Sequence, residues 1–576
     1  MTTMDRRTFV QRSAVAGGSL AAASGLHMLG ANAARGQAPG QSEGYGPLVP
    51  KPAQNDPSMV LRLPAEFNFE VISRQGRPMS DGRPTPGIFD GTGSYATGRE
   101  DTTILIRNHE NRRRPGEIPV VVPADKRYDP DPTYDAGDTK LIVRRRRIGR
   151  NPDGTPRFTY QVLRDFAILG GTDTNCAGGV IDDYFWFTSE EVVNRSAVSG
   201  LKHGYNYAIP AFANEPVKAV PMRQQGRFVH EAVTELDGVL YETEDRSLQT
   251  DPVVGTIGAV LYRFIPDRRR GDDDDDDDRD RRNGRDDDDD DGRRKGRGRN
   301  SGFDGRGKLQ GLKLRNEFRA NMDVGRVVGR PYRVEWVDVD DPDHDDDTDN
   351  RRDRVRGFTP TRIQAIDKGA AFFDRQEGIW TEDANPGDGD GDDDDGRSGR
   401  GRDKVYFDCT AGGAQNLGQV WEYDPRRETI TLIFESTSPT QLEAPDNVVI
   451  VPRTGDIFLQ EDGSGPTQFI RGVTPEGEIF DFAETVTNDS EFCGGCFDED
   501  GFTLFVSQQG ERSGNNPPGT TPSGPGELEG TPDTRAVTYA IYGPFEDRAG
   551  RRRRRRDDDD DDRGDDDDRR GRRDDD

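Results

Sequence analysis

A cysteine and two adjacent glutamates stand at the ends of one predicted pair of strands. Cys176 lies in the glycine-rich run 175–179, and the apolar run that follows ends at Glu190-Glu191. A thiolate prefers transition metals, whereas carboxylates also bind calcium. This combination predicts a metal site that contains at least one transition metal.

Six short apolar runs of the sequence end in polar clusters of this kind. The runs are rich in aromatic and β-branched residues, as strands are. Most neighbouring clusters are about 50 residues apart, the repeat length of a propeller blade. We therefore predict an all-β fold, a six-bladed β-propeller whose clusters converge at one channel. The alternative for any single cluster is an ordinary strand-to-loop transition. The clusters cover residues 107–110, 188–191, 242–245, 408–410, 460–463 and 507–510.

The composition predicts one folded domain interrupted by disordered insertions. Only 31% of the 576 residues are hydrophobic and 33% are charged. Much of the charge lies in four tracts of Asp, Arg and Gly that cannot bury apolar surface. These are insertions at about 267–307, 337–357 and 384–403 within a single propeller domain, 34–547, and a tail at 548–576. The net charge of −29 argues against nucleic acid as a partner and favours a site that collects cations.

The N-terminus predicts an export signal. Residues 5–10 form a twin-arginine pattern, followed by a small-residue apolar stretch at 14–29 and a cleavage-like motif at 31–33. We therefore predict a signal peptide at 1–33, recognition by the twin-arginine export machinery, and a periplasmic or extracellular location. No other stretch is long enough to span a membrane.

Several motifs resemble the PhoX-type alkaline phosphatases. The most specific are Asn-Cys-Ala-Gly-Gly at 175–179, Arg-x-Glu-Gly at 375–378 and Ile-x-Gly-Pro at 541–544. The resemblance extends from the export signal to about Phe545. It implies a six-bladed propeller that hydrolyses small phosphomonoesters with ferric iron (Fe3+) and calcium (Ca2+) in its channel. Family members can carry a lysine just before Asn175, a feature that this chain lacks.

The same resemblance implies roles for individual residues. Cys176 would be the iron-bound thiolate, and Glu231 and Glu377 would be metal-bridging carboxylates. Arg375 would hold the substrate phosphate, since a guanidinium is a planar fork that matches two phosphate oxygens. We expect a monomer. Further metal ligands or supporting groups would be Glu190, Glu191, Asp446, Asn447, Glu461 and Glu491.

Other histidines and cysteines have competing interpretations. His109 and His230 each adjoin a glutamate, and either bind metal or orient that glutamate. His203 is predicted to be a turn residue, and Cys409 a small buried apolar residue. The pair Cys493 and Cys496 has the spacing of a zinc or redox pair, and export favours a local disulfide.

Two alternative functions remain for a propeller of this kind. One is a calcium-binding propeller without phosphatase activity, and the other is a calcium-dependent lactonase. Neither needs a thiolate or a phosphate fork in the channel, so Cys176 and Arg375 distinguish them from a phosphatase. The sequence contains no Gly-x-Ser-x-Gly motif and no phosphate-binding loop.

Overall fold

The computed structural model describes residues 43–546 apart from a set of gaps. The gaps are 152–153, 252–254, 268–301, 304, 346, 348–358, 382–403, 453, 466 and 511–534. The predicted signal peptide, the third insertion, the tail at 548–576 and most of the first insertion lie outside the described residues. In the described part, no helix is long and apolar enough to cross a membrane.

The described chain consists almost entirely of β-strands, which confirms the all-β prediction. It has one short α-helix, α1 (Thr361–Asp367), and a 3-10 turn at Arg223–Gln225. The first fifteen strands are β1 (Leu48–Pro52), β2 (Val60–Pro64), β3 (Asn68–Arg74), β4 (Phe89–Ala96), β5 (Thr102–His109), β6 (Ala136–Arg150), β7 (Pro156–Thr172), β8 (Asn175–Ile181), β9 (Phe185–Glu190), β10 (Asn194–Arg195), β11 (Lys202–His203), β12 (Asn206–Pro210), β13 (His230–Leu236), β14 (Val239–Glu244) and β15 (Gln249–Asp251). The others are β16 (Gly255–Ile257), β17 (Tyr262–Pro266), β18 (Gly307–Leu314), β19 (Pro331–Asp338), β20 (Gln376–Thr381), β21 (Val405–Cys409), β22 (Gln419–Asp424), β23 (Thr429–Glu435), β24 (Pro445–Ile450), β25 (Ile457–Glu461), β26 (Phe469–Val473), β27 (Ile479–Thr485), β28 (Phe492–Phe497), β29 (Thr503–Gln508) and β30 (Val537–Tyr542).

These strands form antiparallel sheets in which chain neighbours pair. One sheet has the order β4-β5-β6-β7, another β12-β9-β8, and a third β28-β29-β30-β3. A nine-stranded sheet joins β13-β14-β17-β18 to β23-β22-β21-β20, because β19 pairs with both β18 and β23. The last large sheet is β24-β25-β26-β27, which β2 and β1 extend. The N-terminal strands thus complete sheets formed by the C-terminal part of the chain.

Six strands, here called the first strands, lie next to one another in a closed series. They are β4, β8, β13, β20, β24 and β28, and each contacts the next, while β28 contacts β4. A cavity of about 20 Å³ lies between them, with room for about one water molecule. Its lining comes from all six first strands and includes Gly91, Gly178, Ala232, Gly378, Val448 and Gly494.

The core explains why these short runs are apolar on both faces. Strand β29 is buried along its whole length, and it contacts β4 of another sheet. Tyr45, near the beginning of the described chain, makes edge-on ring contacts with Phe67, Phe458 and Phe545 at centroid distances of 5.5, 6.2 and 6.1 Å. Such aromatic packing holds the two ends of the chain to the core.

Part of the second predicted insertion is packed on the fold. Val337 and Asp338 end β19, and the side chain of His344 is buried with Nε2 2.7 Å from the carbonyl oxygen of Arg227. Asp343 accepts a hydrogen bond of 2.6 Å from the hydroxyl of Tyr205. The acidic segment finds partners on the folded surface as far as Asp347, whose carboxylate lies 2.8 Å from a guanidinium nitrogen of Arg227.

Candidate metal centre

The chemically important side chains gather at one end of the first strands. Each first strand pairs with the next strand of the chain, here called its second strand, and the two are antiparallel. The beginning of the first strand therefore lies beside the end of the second. For example, Phe89 lies opposite His109, and Asn175 lies opposite Glu190. Residues at the beginning of first strands therefore meet residues that follow second strands. We call these residues together the ring cluster. They are Asp90, Cys176, Glu231, Glu377 and Asp446 in first strands, Glu491 directly before β28, and Glu110, Glu191, Asp245 and Asp462 directly after second strands.

A β-bulge lies at or near the ring-cluster residue of each first strand. The strand pairing shifts between Phe89 and Thr92, which flank Asp90, and similar shifts enclose Cys176, Glu231, Glu377 and the beginning of β24 at Asp446. In β28 the shift lies two residues beyond Glu491. Bulges turn side chains out of the regular alternation of a strand. They direct these ligand-type side chains to the end of the ring.

Glycines next to the cluster let the first strands approach closely. A Cβ at Gly91 would lie 2.7 Å from Cα of Ala177, and one at Gly378 would lie 2.6 Å from the backbone nitrogen of Val448. No larger residue fits at these distances without moving the neighbouring backbone. This accounts for the glycine in the Arg-x-Glu-Gly motif.

Cys176 is the centre of the tightest groups. Its Sγ and carboxylate oxygens of Asp90 and Glu110 lie within 4.8 Å of one another, and the same is true of Cys176 with Glu191 and Glu231. The distance from Sγ to Oδ2 of Asp90 is 3.6 Å. Both groups consist of buried or partly buried side chains. One thiol therefore joins two pairs of carboxylates.

The carboxylates of the ring cluster repel one another. Burial and the charges of Glu110 and Asp446 raise the pKa of Asp90 well above its usual range. Burial and Asp462 raise the pKa of Asp446 to about 7, and burial and Asp90 raise the pKa of the Cys176 thiol. So many buried anions need cations nearby to remain ionised. The electrostatics therefore favour metal binding.

Glu231 gives a direct test of whether the residues fit a metal. It is fully buried, and neither of its carboxylate oxygens has a hydrogen-bond partner in the described part of the chain. Burial, together with Glu191 and Asp446, raises the pKa of Glu231 well above its usual range. Buried polar atoms are almost always partnered. Two free oxygens beside a thiol and further carboxylates are the donors that a metal ion requires.

Two arginines border the ring cluster. Nε and Nη2 of Arg375 donate to the two oxygens of Asp245 at 2.8 and 3.0 Å, and Nη2 lies 2.6 Å from Oε1 of Glu377. Nη2 of Arg112 makes a short ion pair with Oε1 of Glu110. The side chains of Arg375 and Arg112 are 24% and 27% exposed, whereas the carboxylates of Glu377 and Glu110 are almost completely buried. The arginines therefore form part of the solvent-facing rim.

Two of the predicted site residues point away from the ring cluster. The carboxylate of Glu190 lies 2.7 Å from Nδ1 of His203 and accepts hydrogen bonds from the backbone of Asp173 and Gly204. Oε1 of Glu461 accepts from Nε of Arg471 at 2.9 Å. Successive side chains of a strand point to opposite faces, so only one of two adjacent acids can reach the cluster. It is the second acid in both places, Glu191 and Asp462.

The remaining predicted residues lie at the cluster, and others join them. Asn447 supports it rather than adding a charge, since its Nδ2 donates to Oδ2 of Asp446 at 2.8 Å and its Oδ1 accepts from the backbone of Gly494. Sequence reasoning did not select Asp90, although the glycine that follows it is a bulge signal. Four further residues of the site were not predicted as ligands or binding residues. Three of them lie within the predicted strand-end clusters. These four are Glu110, Arg112, Asp245 and Asp462.

His109, His203 and His230 lie outside the ring cluster. Nδ1 of His109 lies 3.0 Å from the carbonyl oxygen of Gly87, and Nε2 of His230 lies 3.2 Å from that of Gly226. The prediction that His203 is a turn residue is wrong. His203 belongs to β11 and is fully buried between Glu190 and Asp129, because two buried carboxylates need a cationic partner.

The cysteines other than Cys176 are buried thiols. Cys409 is fully buried in the apolar core, as predicted. The disulfide between Cys493 and Cys496 is not present, since both thiols are free. The two residues flank the bulge of β28, and Sγ of Cys493 lies 3.1 Å from the carbonyl oxygen of Phe89 in a neighbouring sheet.

Comparison with known proteins identifies a family that includes this chain and a solved structure with a similar fold. The family model described as alkaline phosphatase PhoX matches residues 43–511. Among solved structures, the chain is similar to Pseudomonas fluorescens PhoX in complex with vanadate, a transition state analogue, with a TM-score of 0.55 and 16% identity. The similarity covers 88% of this chain and 99% of that chain, and at this identity it concerns the fold. No curated protein matches the sequence.

Proposed function

Because the chain belongs to the PhoX family of alkaline phosphatases, we propose that it hydrolyses phosphate monoesters with iron and calcium held by the ring cluster. The observation that carries this proposal is the position of Cys176 between two pairs of carboxylates. With each pair, the ligand atoms of the thiol and the two carboxylates lie within 4.8 Å of one another. A calcium-binding or lactonase propeller has no need for a buried thiol at that point. A thiolate among carboxylates suits the iron that is proposed here, and bound metal ions can promote phosphate ester hydrolysis.

The proposed scaffold is a six-bladed β-propeller. The closed series of first strands supports it, as does the cavity that all six strands line. The same arrangement restricts access, because a cavity of about 20 Å³ is too small for a phosphomonoester. Substrate would therefore reach the ring cluster from the end where the acidic side chains and the arginines lie.

The donor types divide the cluster between the two metals. Cys176 with Asp90, Glu110, Glu191 and Glu231 suits iron, because it combines sulfur with hard oxygen ligands. The carboxylates around Asp446, from Glu377, Asp462 and Glu491, suit calcium, which takes oxygen ligands alone. When bound, these cations would supply positive charge for the phosphate oxygens and lower the pKa of coordinated water.

The protein side chains prepare the site for this chemistry. Asp245 holds the guanidinium of Arg375 in place, and the bulged strands hold the ligand side chains. Sγ of Cys176 must lose its proton for iron to bind, and burial raises its pKa, so metal loading would release protons. The narrow cavity below the cluster limits the access of bulk water from that side.

The N-terminal sequence supports export by the twin-arginine route. The pattern at 5–10 directs proteins that are exported in a folded state, and a protein that acquires metals on folding is suited to that route. A periplasmic or extracellular phosphatase acting as a monomer on small phosphomonoesters is the resulting proposal.

The test compares Cys176→Ala with Cys409→Ala in the purified mature protein. Cys409 is an equally buried thiol in the apolar core, so its variant is the matched control. We expect Cys176→Ala to lose iron and the hydrolysis of p-nitrophenyl phosphate, and Cys409→Ala to keep both. Iron content and full activity retained in Cys176→Ala would overturn the proposal, as would wild-type protein loaded with calcium alone.

A further inference from the structure

The hydrogen-bond donors of the two rim arginines differ in availability. Arg375 uses Nε and Nη2, one complete edge of its guanidinium, for the two oxygens of Asp245, and Nη2 also faces Glu377. A guanidinium binds phosphate best through two parallel donors on one edge. Among the described residues, Nη1 is the nitrogen of this guanidinium that has no acceptor. Arg375 can therefore offer a ligand Nη1 alone, without a second donor on the same edge.

Arg112 has the opposite arrangement. Within the described part of the chain, the ion pair of Arg112 is with Glu110, through Nη2, and Nε and Nη1 donate no hydrogen bond. Because Nη2 carries one N–H on each edge of the guanidinium, this ion pair leaves one complete edge of Arg112 with two parallel donors. A guanidinium stays protonated in proteins, so the side chain of Arg112 is a cation. At 27% exposure it is accessible to a ligand from solvent.

The backbone holds Arg112 in place at the rim. Oε2 of Glu117 accepts hydrogen bonds from the backbone nitrogens of Arg112 and Arg114, at 3.0 and 2.8 Å. The neighbouring Arg113 points elsewhere, with Nε 3.3 Å from Asp173 and its guanidinium 4.9 Å from the ring centre of Tyr134. Of Arg112 and Arg113, Arg112 is the one directed at the ring cluster.

Both rim arginines act on the same group of carboxylates. Nη2 of Arg112 pairs with Glu110, which Gln509 joins to Asp90, and Nη2 of Arg375 lies 2.6 Å from Oε1 of Glu377. A phosphate bound at the cluster would therefore lie near both cations. The available donors decide which of the two makes the paired contact.

We propose that Arg112 forms the bidentate contact with the substrate phosphate and that Arg375 contributes a single donor while positioning Glu377. This inference rests on the proposed phosphatase function, since metal cations must first offset the acidic cluster before a phosphate dianion can approach. It assigns a substrate-binding role to a residue of the turn that follows β5, more than two hundred residues before Arg375.

The test measures the binding of inorganic phosphate by calorimetry and its inhibition of p-nitrophenyl phosphate hydrolysis. Arg112→Lys keeps the charge and removes the fork, and Arg113→Lys is the matched control. We expect Arg112→Lys to weaken phosphate binding about tenfold and to raise KM more than it lowers kcat. Arg113→Lys should bind phosphate as the wild type does.

Iron and calcium contents are measured in every variant after reconstitution with excess metal. Phosphate affinity within about twofold of wild type in Arg112→Lys would overturn the proposal. A loss of metal that reconstitution does not restore would also overturn it, because Arg112 would then act by positioning Glu110. Absence of hydrolysis in the wild type refutes the phosphatase function. If the wild type hydrolyses the substrate and Arg112→Lys binds phosphate equally well, this inference alone is refuted.

Discussion

The side-chain amide of Gln509 joins Glu110 to Asp90. Its Nε2 donates to Oε2 of Glu110 at 2.8 Å and to Oδ2 of Asp90 at 3.0 Å. The backbone nitrogen of Gln509 in turn donates to the carbonyl oxygen of Glu491 at 3.1 Å. Three positions of the ring cluster, from three parts of the chain, are therefore held by one neutral residue.

Gln509→Met should weaken iron binding while preserving the fold. Methionine matches the length of glutamine but cannot donate, so Asp90 and Glu110 lose the amide that orients them. Loss of such an outer partner typically lowers metal affinity by about 10-fold to 100-fold. A competition titration against an iron chelator measures the change. Wild-type affinity in a properly folded variant would show that Gln509 has no orienting role.

The metal-free protein should become less stable as the pH rises. Burial and nearby acids raise the pKa of Asp446 from an ordinary 3.8 to about 7 in the folded state. A carboxyl group whose pKa is higher in the folded state stabilises the fold at pH values below its ordinary pKa. This stabilisation is lost as the pH rises through the folded-state pKa of about 7. Thermal unfolding of chelator-treated protein between pH 5 and pH 8 tests this, and the metal-loaded protein is the control. A melting temperature that rises with pH in the metal-free form would contradict the expected repulsion.

His203→Gln should destabilise the fold without removing the metal ligands. Burial would lower the pKa of His203, but Glu190 and Asp129 raise it to about 9, so the imidazolium neutralises two buried carboxylates. Removing one partner of a buried ion pair costs about 3–5 kcal/mol. Urea unfolding measures the loss, which should shrink above pH 9, where the wild-type histidine also loses its proton. Unchanged stability at pH 7 would mean that the pair is not charged.

Gly378→Ala should destabilise the protein through the contact between β20 and β24. The added methyl group would lie 2.6 Å from the backbone nitrogen of Val448, a distance that requires the strands to move. Overpacking of this kind costs about 1–3 kcal/mol. Gly305→Ala is the control, because nothing lies within 4 Å of its Cβ position. Equal unfolding free energies for the two variants would argue against the close approach of the first strands.

Local patterns in the sequence predicted the strands and several site residues. The apolar runs, their polar ends and the adjacent glycines are signals within a few residues, and they predicted Cys176 as a metal ligand, whereas Glu231 and Glu377 were predicted from the resemblance to the PhoX motifs. Such patterns could not distinguish Glu190 from Glu191, because the face on which each acid lies depends on the pairing and bulges of the strand. The same limit applies to Glu461 and Asp462.

The sequence by itself determined that this chain is an all-β protein with acidic, thiol-containing strand ends, because hydrophobic runs and turn residues act over short distances. Only the tertiary structure decided which of those ends meet. Glu110, Gln509 and Asp90 come together because β28 packs against β4, so that strands about four hundred residues apart become neighbours. Likewise, the engagement of Arg375 by Asp245 joins two residues that are 130 positions apart in the sequence, which no local pattern records.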